Sequence, residues 1–248
     1  LHYAEKLGHI LKTNCSASDP PDSVKQLCET TDIEQSLKWF VESQEYKVWT
    51  QASSAKLWVH GEPGDGKTVL MSYILRSLSQ GILPAYQQDI ASIFCSSNDT
   101  EVGIIASLVC QLLKGNKVRA KAAQKYLPIT EFEQCEQSGG PRGLLWRLLR
   151  LLITATDDSE TVFVIDAIDK LGPHVRSSFL GGFLRVQNDI GAQSADMRVI
   201  ISSLMIEDVQ SALSNYSRID REMERRGGYQ GSMIKIVLTL CCRLAKNT

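Results

Sequence analysis

Four stretches of the chain are apolar with little alternation, and helical patterns separate them. Lys56-Leu57-Trp58-Val59-His60, Asp89 to Cys95, Thr161-Val162-Phe163-Val164-Ile165-Asp166 and Met197 to Ser203 are short runs with many β-branched or aromatic side chains. Such runs belong to strands covered on both faces, the situation of a parallel sheet between helices. In between, apolar positions recur at helical spacing. Val69, Leu70, Tyr73, Ile74 and Leu78 mark one face, Ile104, Ile105, Leu108, Val109, Leu112 and Leu113 a second, and Leu144 to Ile153 a buried helix. Val175, Phe179, Phe183, Leu184 and Val186 predict another, and Ile206 to Leu213 a short one. Ser217 to Asp220 reads as one more short strand. Strands alternating with helices predict an α/β domain with a parallel sheet.

The flanking segments are less regular. Leu1 to Leu11 predicts a short helix, and Ser16 to Ser23, with Pro20-Pro21, a linker. Thr31-Asp32-Ile33-Glu34 is a capping-box pattern that opens a helix with Ile33, Leu37, Phe40 and Val41 on one face. Trp39 and Trp49 are expected to anchor packing. Gly81 and Pro84 end the helix before them. Lys114 to Arg119 reads as a solvated helix end, Tyr126 to Arg142 as irregular chain and Asp157-Asp158-Ser159 as a turn. Arg221 to Gly231 is charged, and Ser232 to Ala245 predicts a last helix. The expected division is residues 1–31 as a linker and helix, 32–220 as the α/β domain, and 221–248 as the start of a helical continuation.

One strand-to-helix junction carries chemistry. Gly61-Glu62-Pro63-Gly64-Asp65-Gly66-Lys67-Thr68 matches G-x-x-x-x-G-K-[ST], the phosphate-binding P-loop. Its glycines let backbone N–H groups curl around phosphate oxygens. Lys67 would reach the β- and γ-phosphates, and the Thr68 hydroxyl would hold Mg²⁺. The helix that begins at Val69 would aim its positive end at the same anion. The expected ligand is therefore ATP or GTP with Mg²⁺; nothing reads the purine edge. The run Thr161 to Asp166 adds a carboxylate at the carboxyl end of a buried strand, where open α/β sheets bind ligands. An apolar strand ending in Asp is the Walker B pattern, and Asp166 is the second expected Mg²⁺ ligand, through water.

Composition narrows the partners. The chain has 248 residues, 43% hydrophobic and 22% charged, enough for a real core. A formal net charge of −1 implies no broad basic face for nucleic acid. Seven cysteines without a C-x-x-C spacing predict neither a disulfide framework nor a zinc site. No apolar run approaches the roughly 18 residues of a membrane span. No secretory pattern is visible, and the chain begins with Leu1, so an excerpt of a cytoplasmic protein is expected. His60 lies beside the P-loop, with strand-end packing as its expected role.

With these pieces placed, the chain resembles the NACHT class of STAND NTPases, and most closely fungal NOD-like receptor proteins of the heterokaryon-incompatibility type. The likeness runs from about Asp32 to Leu244. It rests on Ser36 to Phe40, Tyr46 to Trp49, the Walker A stretch Lys56 to Leu70, Ile93 to Ser96, Gln111 to Leu113, the Walker B stretch Val164-Ile165-Asp166-Ala167-Ile168-Asp169, and Val199 to Ser203 as a sensor-1 strand. The resemblance implies a three-layer P-loop NTPase sandwich with a mostly parallel sheet and helical extensions at both ends. It also implies a switch that exchanges diphosphate for triphosphate and then self-associates through this domain. Asp169, with Asp166, is the candidate catalytic carboxylate for positioning water. Two residues depart from the family pattern. Lys170 stands where a second acidic residue is usual, and Leu204 where a sensor arginine is usual. A cationic side chain is no base, and leucine donates nothing to phosphate, so binding is expected to survive better than hydrolysis.

Three readings remain open at this stage: an NTP switch, a nucleotide-binding interaction module with little or no turnover, and a small-molecule kinase. The last would need an arginine-bearing lid, for which Arg218, Arg221, Arg225 and Arg226 are the candidates, although an exposed helix face explains them more simply.

Overall fold

The structure, a computed structural model, describes residues 2–10, 20–28, 31–80, 88–114, 116–135, 140–155, 160–191 and 195–220. Five parallel strands lie in the order β2-β3-β4-β1-β5. They are β1 (Lys56–His60), β2 (Gln88–Phe94), β3 (Glu160–Asp166), β4 (Met197–Ser203) and β5 (Ser217–Asp220). The four expected strands are present within a residue of their predicted limits, and Ser217–Asp220 is a fifth, at the edge beside β1.

Successive side chains on a strand leave opposite faces. Here both sets are apolar, so the sheet supplies two cores. Trp58, Ala91, Ile93, Phe163, Ile165, Val199 and Ile201 enter one core. They meet side chains of α6 (Glu101–Leu113), α9 (Arg142–Thr154) and α10 (Pro173–Gly191). Leu57, Val59, Val162, Val164, Ile200 and Ile219 enter the other. There they meet α3 (Thr31–Glu42), α4 (Gln44–Gln51) and α5 (Lys67–Ser79). The result is a three-layer α/β sandwich, as the doubly apolar strands require. The same parity governs the strand ends. Asp166 follows Val164 and Ser202 follows Ile200, so both belong to the α5 side. His60 shares the opposite side with Trp58.

Several expectations change. Lys114, Lys117 and Val118 are exposed, as expected of the stretch Lys114 to Arg119, but Arg119 is not. Arg119 lies on α7 (Lys117–Tyr126) with none of its surface exposed. It donates to Thr161 Oγ1 at 2.7 Å and sits 3.2 Å from Asp89 Oδ2. Arg119 and Ala123 are four residues apart, so one face of α7 turns inward despite its polar composition. The irregular stretch Tyr126 to Arg142 contains α8 (Ile129–Gln134), opened by Pro128 as N-cap and seated through buried Phe132. Upstream, α1 (His2–Ile10) is the expected short helix. The predicted linker gives way after Pro21 to α2 (Asp22–Leu27). Trp49 is on a helix, capped by the Ser43 hydroxyl, and its indole N–H donates to Val199 O at 2.9 Å. Cys28, Cys95 and Cys135 are free, and Cys15, Cys241 and Cys242 lie outside the described residues. Gly81, Pro84, the Asp157–Ser159 turn and the helix expected over Ser232 to Ala245 also lie outside them.

Adjacent glycines of α10 give a paired test. A Cβ on Gly182 would come within 2.4 Å of the Trp146 ring, whereas a Cβ on Gly181 meets nothing within 4 Å. Gly182→Ala should displace the indole that bonds Glu101 and destabilise by about 1–3 kcal/mol. Gly181→Ala should be neutral or stabilising by up to about 1 kcal/mol. Urea denaturation of both variants checks the pair.

Candidate functional site

The loop between β1 and α5 closes on itself. Gly64 and Gly66 have φ of 85° and 75°, the left-handed region that only glycine enters without strain. Gly66 is the N-cap of α5, and Leu70 N donates to its carbonyl at 3.0 Å, so the helix starts directly from the loop. The buried Asp65 carboxylate accepts the Glu62 N–H at 2.7 Å, and Asp65 N donates back to Glu62 O at 3.3 Å. Lys67 folds over this ring. Its ammonium donates to Gly61 O at 2.8 Å and to Glu62 O at 2.7 Å. Pro63 is exposed, and Val69 is buried in the core beneath the helix.

Beside the loop, the strand ends form a polar network. Thr68 Oγ1 donates to Asp166 Oδ2 at 2.8 Å. Ser202 Oγ donates to the other carboxylate oxygen at 2.5 Å and accepts the Ala167 N–H at 2.9 Å. Ala167 is the sole non-glycine residue with positive φ among the described residues (φ 53°, ψ 48°). The chain therefore turns sharply after Asp166 into the 3-10 segment Ile168–Lys170. There Asp169 Oδ1 accepts the Leu204 N–H at 2.9 Å. Arg176 braces the same turn, donating to the carbonyls of Asp169 (3.1 Å) and Leu171 (2.9 Å) and to Asp208 Oδ2 (2.8 Å). Ser203, of opposite parity to Ser202, accepts from Trp58 Nε1 at 2.8 Å on the other side of the sheet.

Electrostatics follow from burial. Asp166 is 1% exposed, and burial raises its pKa above the usual carboxylate value. The Ser202 and Thr68 hydrogen bonds and Lys170 act the other way, while Asp169 adds to the rise. His60 is buried against Trp58, ring centroids 4.7 Å apart, with Nδ1 3.8 Å from Asp220 Oδ1. Burial lowers its pKa, against the pull of Asp220, so the ring is neutral at neutral pH. A cavity of about 330 Å³ opens beyond it, lined by His60, Pro63, Asp65, Leu204, Met205 and Asp220 among others. Neither Thr68 nor Asp166 lines it. Arg218 does not stand off as part of a lid; its guanidinium lies over the Trp58 ring at 5.3 Å. Arg221, Arg225 and Arg226 lie outside the described residues.

Of the residues singled out in the sequence, Thr68 and Asp166 meet directly across 98 positions of chain. Gly61 through Gly66 form the adjoining loop, and Lys67 opens α5. Asp169 is close to Asp166, and its carboxylate accepts from the Leu204 amide. Ser202 was legible only as part of a strand. Its signal is parity: it shares a face with Asp166, but only the order of the strands makes that relation visible. His60 packs at its strand end, as expected. Among the described residues no group of three or more His, Cys, Asp or Glu converges as a metal cluster. None of their helices is long and apolar enough to cross a membrane.

Residues 35–204 match the family model described as Nephrocystin 3, N-terminal, a NACHT-associated region, and the chain belongs to that family. No curated protein matches the chain.

The raised pKa of Asp166 predicts a stability trade. At neutral pH the fold bears the cost of keeping this buried carboxylate charged. As pH falls through its raised pKa, Asp166 protonates in the folded protein before it does in the unfolded chain, and the cost disappears. Asp166→Asn should therefore melt at or above the wild-type temperature at pH 7–8, and the difference should shrink as pH falls. Melting curves of both proteins from neutral to mildly acidic pH check the sign.

Proposed function

We propose that this member of the nephrocystin 3 N-terminal family binds a nucleoside triphosphate, ATP or GTP, with Mg²⁺. It would serve as the switch core of a NOD-like receptor protein of the type found in fungi, in the cytoplasm and with self-association through this domain. One observation carries the reading: the 2.8 Å bond between Thr68 and Asp166, side by side at the mouth of a glycine loop. Nothing local in the sequence requires those two residues to meet, whereas a metal–phosphate site does.

The residues suit such a ligand. Lys67 is satisfied by two neutral carbonyls. Phosphate oxygens would replace them with charge-assisted acceptors, which are roughly twice as strong. Thr68 spends its one hydrogen on Asp166, which leaves its oxygen lone pairs for a cation. A hydroxyl and a carboxylate are hard oxygen donors, and two of them beside a phosphate site match the way Mg²⁺ is usually held. When bound, Mg²⁺ would neutralise charge on the phosphates. The left-handed glycines let the loop backbone approach without a Cβ in the way.

Asp169 favours a second reading, an interaction module that binds nucleotide with little or no turnover. Its carboxylate accepts from the backbone of the position where the family usually has an arginine. Lys170 is exposed on the same turn and cannot act as an anionic base. In either reading hydrolysis is slow. The kinase reading loses its nearest lid candidate, because Arg218 is stacked on Trp58.

Calorimetry with ATP and with GTP, each with Mg²⁺, tests the binding. The wild type should bind at least one, and Lys67→Ala should weaken it about 10- to 100-fold, the worth of one charge-assisted hydrogen bond. Equal binding by both proteins would remove Lys67 from the site. Phosphate release separates the two readings: the wild type should be slow and Lys170→Glu faster. Turnover by the wild type as fast as that of an NTPase with both acidic residues would sink the idea of a weakened hydrolytic half.

A further inference from the structure

We propose that Ser202 is the positioning residue that sets the Asp166 carboxylate for the metal side of the nucleotide site. The inference rests on the nucleotide-binding reading above and adds a residue to it. Three contacts carry it. Ser202 Oγ donates to Asp166 Oδ1 at 2.5 Å, Ala167 N donates to Ser202 Oγ at 2.9 Å, and Thr68 Oγ1 donates to Asp166 Oδ2 at 2.8 Å. Each carboxylate oxygen thus has its own hydroxyl. Ser202 takes the oxygen away from Thr68, which fixes the rotation of the carboxylate and leaves Oδ2 directed at Thr68.

The topology explains why a serine from β4 does this. β3 and β1 are not neighbours; β4 lies between them. Asp166 must reach across the end of β4 to meet Thr68, and Ser202 is the β4 side chain on that face. Ser203, one position later, points to the other core and bonds Trp58. Ser202 is itself fully buried, so its hydroxyl needs these partners. Its acceptor side holds the Ala167 N–H, and Ala167 carries the left-handed turn directly after Asp166. An alanine in that region is uncommon and costs energy unless its surroundings hold it. One hydroxyl therefore clamps both the carboxylate and the strained turn that follows it. Groups that orient a metal-binding carboxylate in this way act on metal affinity rather than on the ligand directly.

Calorimetric titration of the whole chain with ATP and with GTP tests this, in EDTA and across a series of Mg²⁺ concentrations. Ser202→Ala should bind nucleotide in EDTA as the wild type does. It should need roughly 10-fold more Mg²⁺ to reach the same affinity. A purely structural role would lower the melting temperature and weaken binding equally with and without metal. If Ser202→Ala does not fold, Ser202→Cys keeps the volume while weakening the donor, and the same titration reads it. Unchanged Mg²⁺ dependence in a folded variant, or equal loss in EDTA and in Mg²⁺, overturns the proposal while leaving nucleotide binding intact. Failure of the wild type to bind either nucleotide overturns both.

Discussion

The hydroxyl of Thr68 and the carboxylate of Asp166 meet 2.8 Å apart although the strands that deliver them are not paired. Much of the architecture around the loop makes that meeting possible. β1 must end where the glycine loop begins, and β3 must end level with it. β4 must lie between them with a small polar side chain on the α5 face. A larger apolar residue at Ser202 would fill the space that Asp166 crosses and leave the carboxylate buried without one of its donors. Such an uncompensated charge is among the most costly defects a core can hold.

The two ends of the sheet use polar groups for different purposes. At the amino ends, Arg198 pairs with the Glu160 carboxylate and lies over the Trp49 ring, and Arg119 holds Thr161. These contacts tie helices α4 and α7 to the sheet. All four polar side chains, Arg119, Glu160, Thr161 and Arg198, are buried in the interior. At the carboxyl ends the same kinds of group sit beside an open loop. Lys67 there donates to two backbone carbonyls, those of Gly61 and Glu62. The contrast places the candidate chemistry at the carboxyl ends of the strands, as parallel α/β sheets generally do.

Membership in the nephrocystin 3 N-terminal family agrees with this geometry at the level of a NACHT-associated region. The matched span, residues 35–204, runs from α3 to the residue after β4. It therefore includes the loop, Thr68, Asp166, Asp169 and Ser202. β5, with Asp220 beside His60, lies beyond it. The glycine loop and the Asp166 network are tightly bonded, while the turn carrying Asp169 and Lys170 braces the end of β4.

Local pattern was enough to identify the four central strands, the longer helices α5, α6, α9 and α10, the glycine loop and the strand end at Asp166. Each follows from what a short segment does to its own residues: doubly apolar strands need two covers, and a left-handed loop needs glycine. Arg119 escaped because its helix is polar overall and only one residue per turn faces inward. α8 and the helix carrying Trp49 escaped because short helices leave too few apolar positions for a period to show. The pairing of Thr68 with Asp166, the clamp from Ser202 and the bond from Leu204 to Asp169 depend on which strand lies beside which. Periodicity reports how a segment is buried, but it carries no record of its neighbours. Strand order is decided only when the whole sheet assembles, and with it the set of side chains that meet at the mouth of the loop.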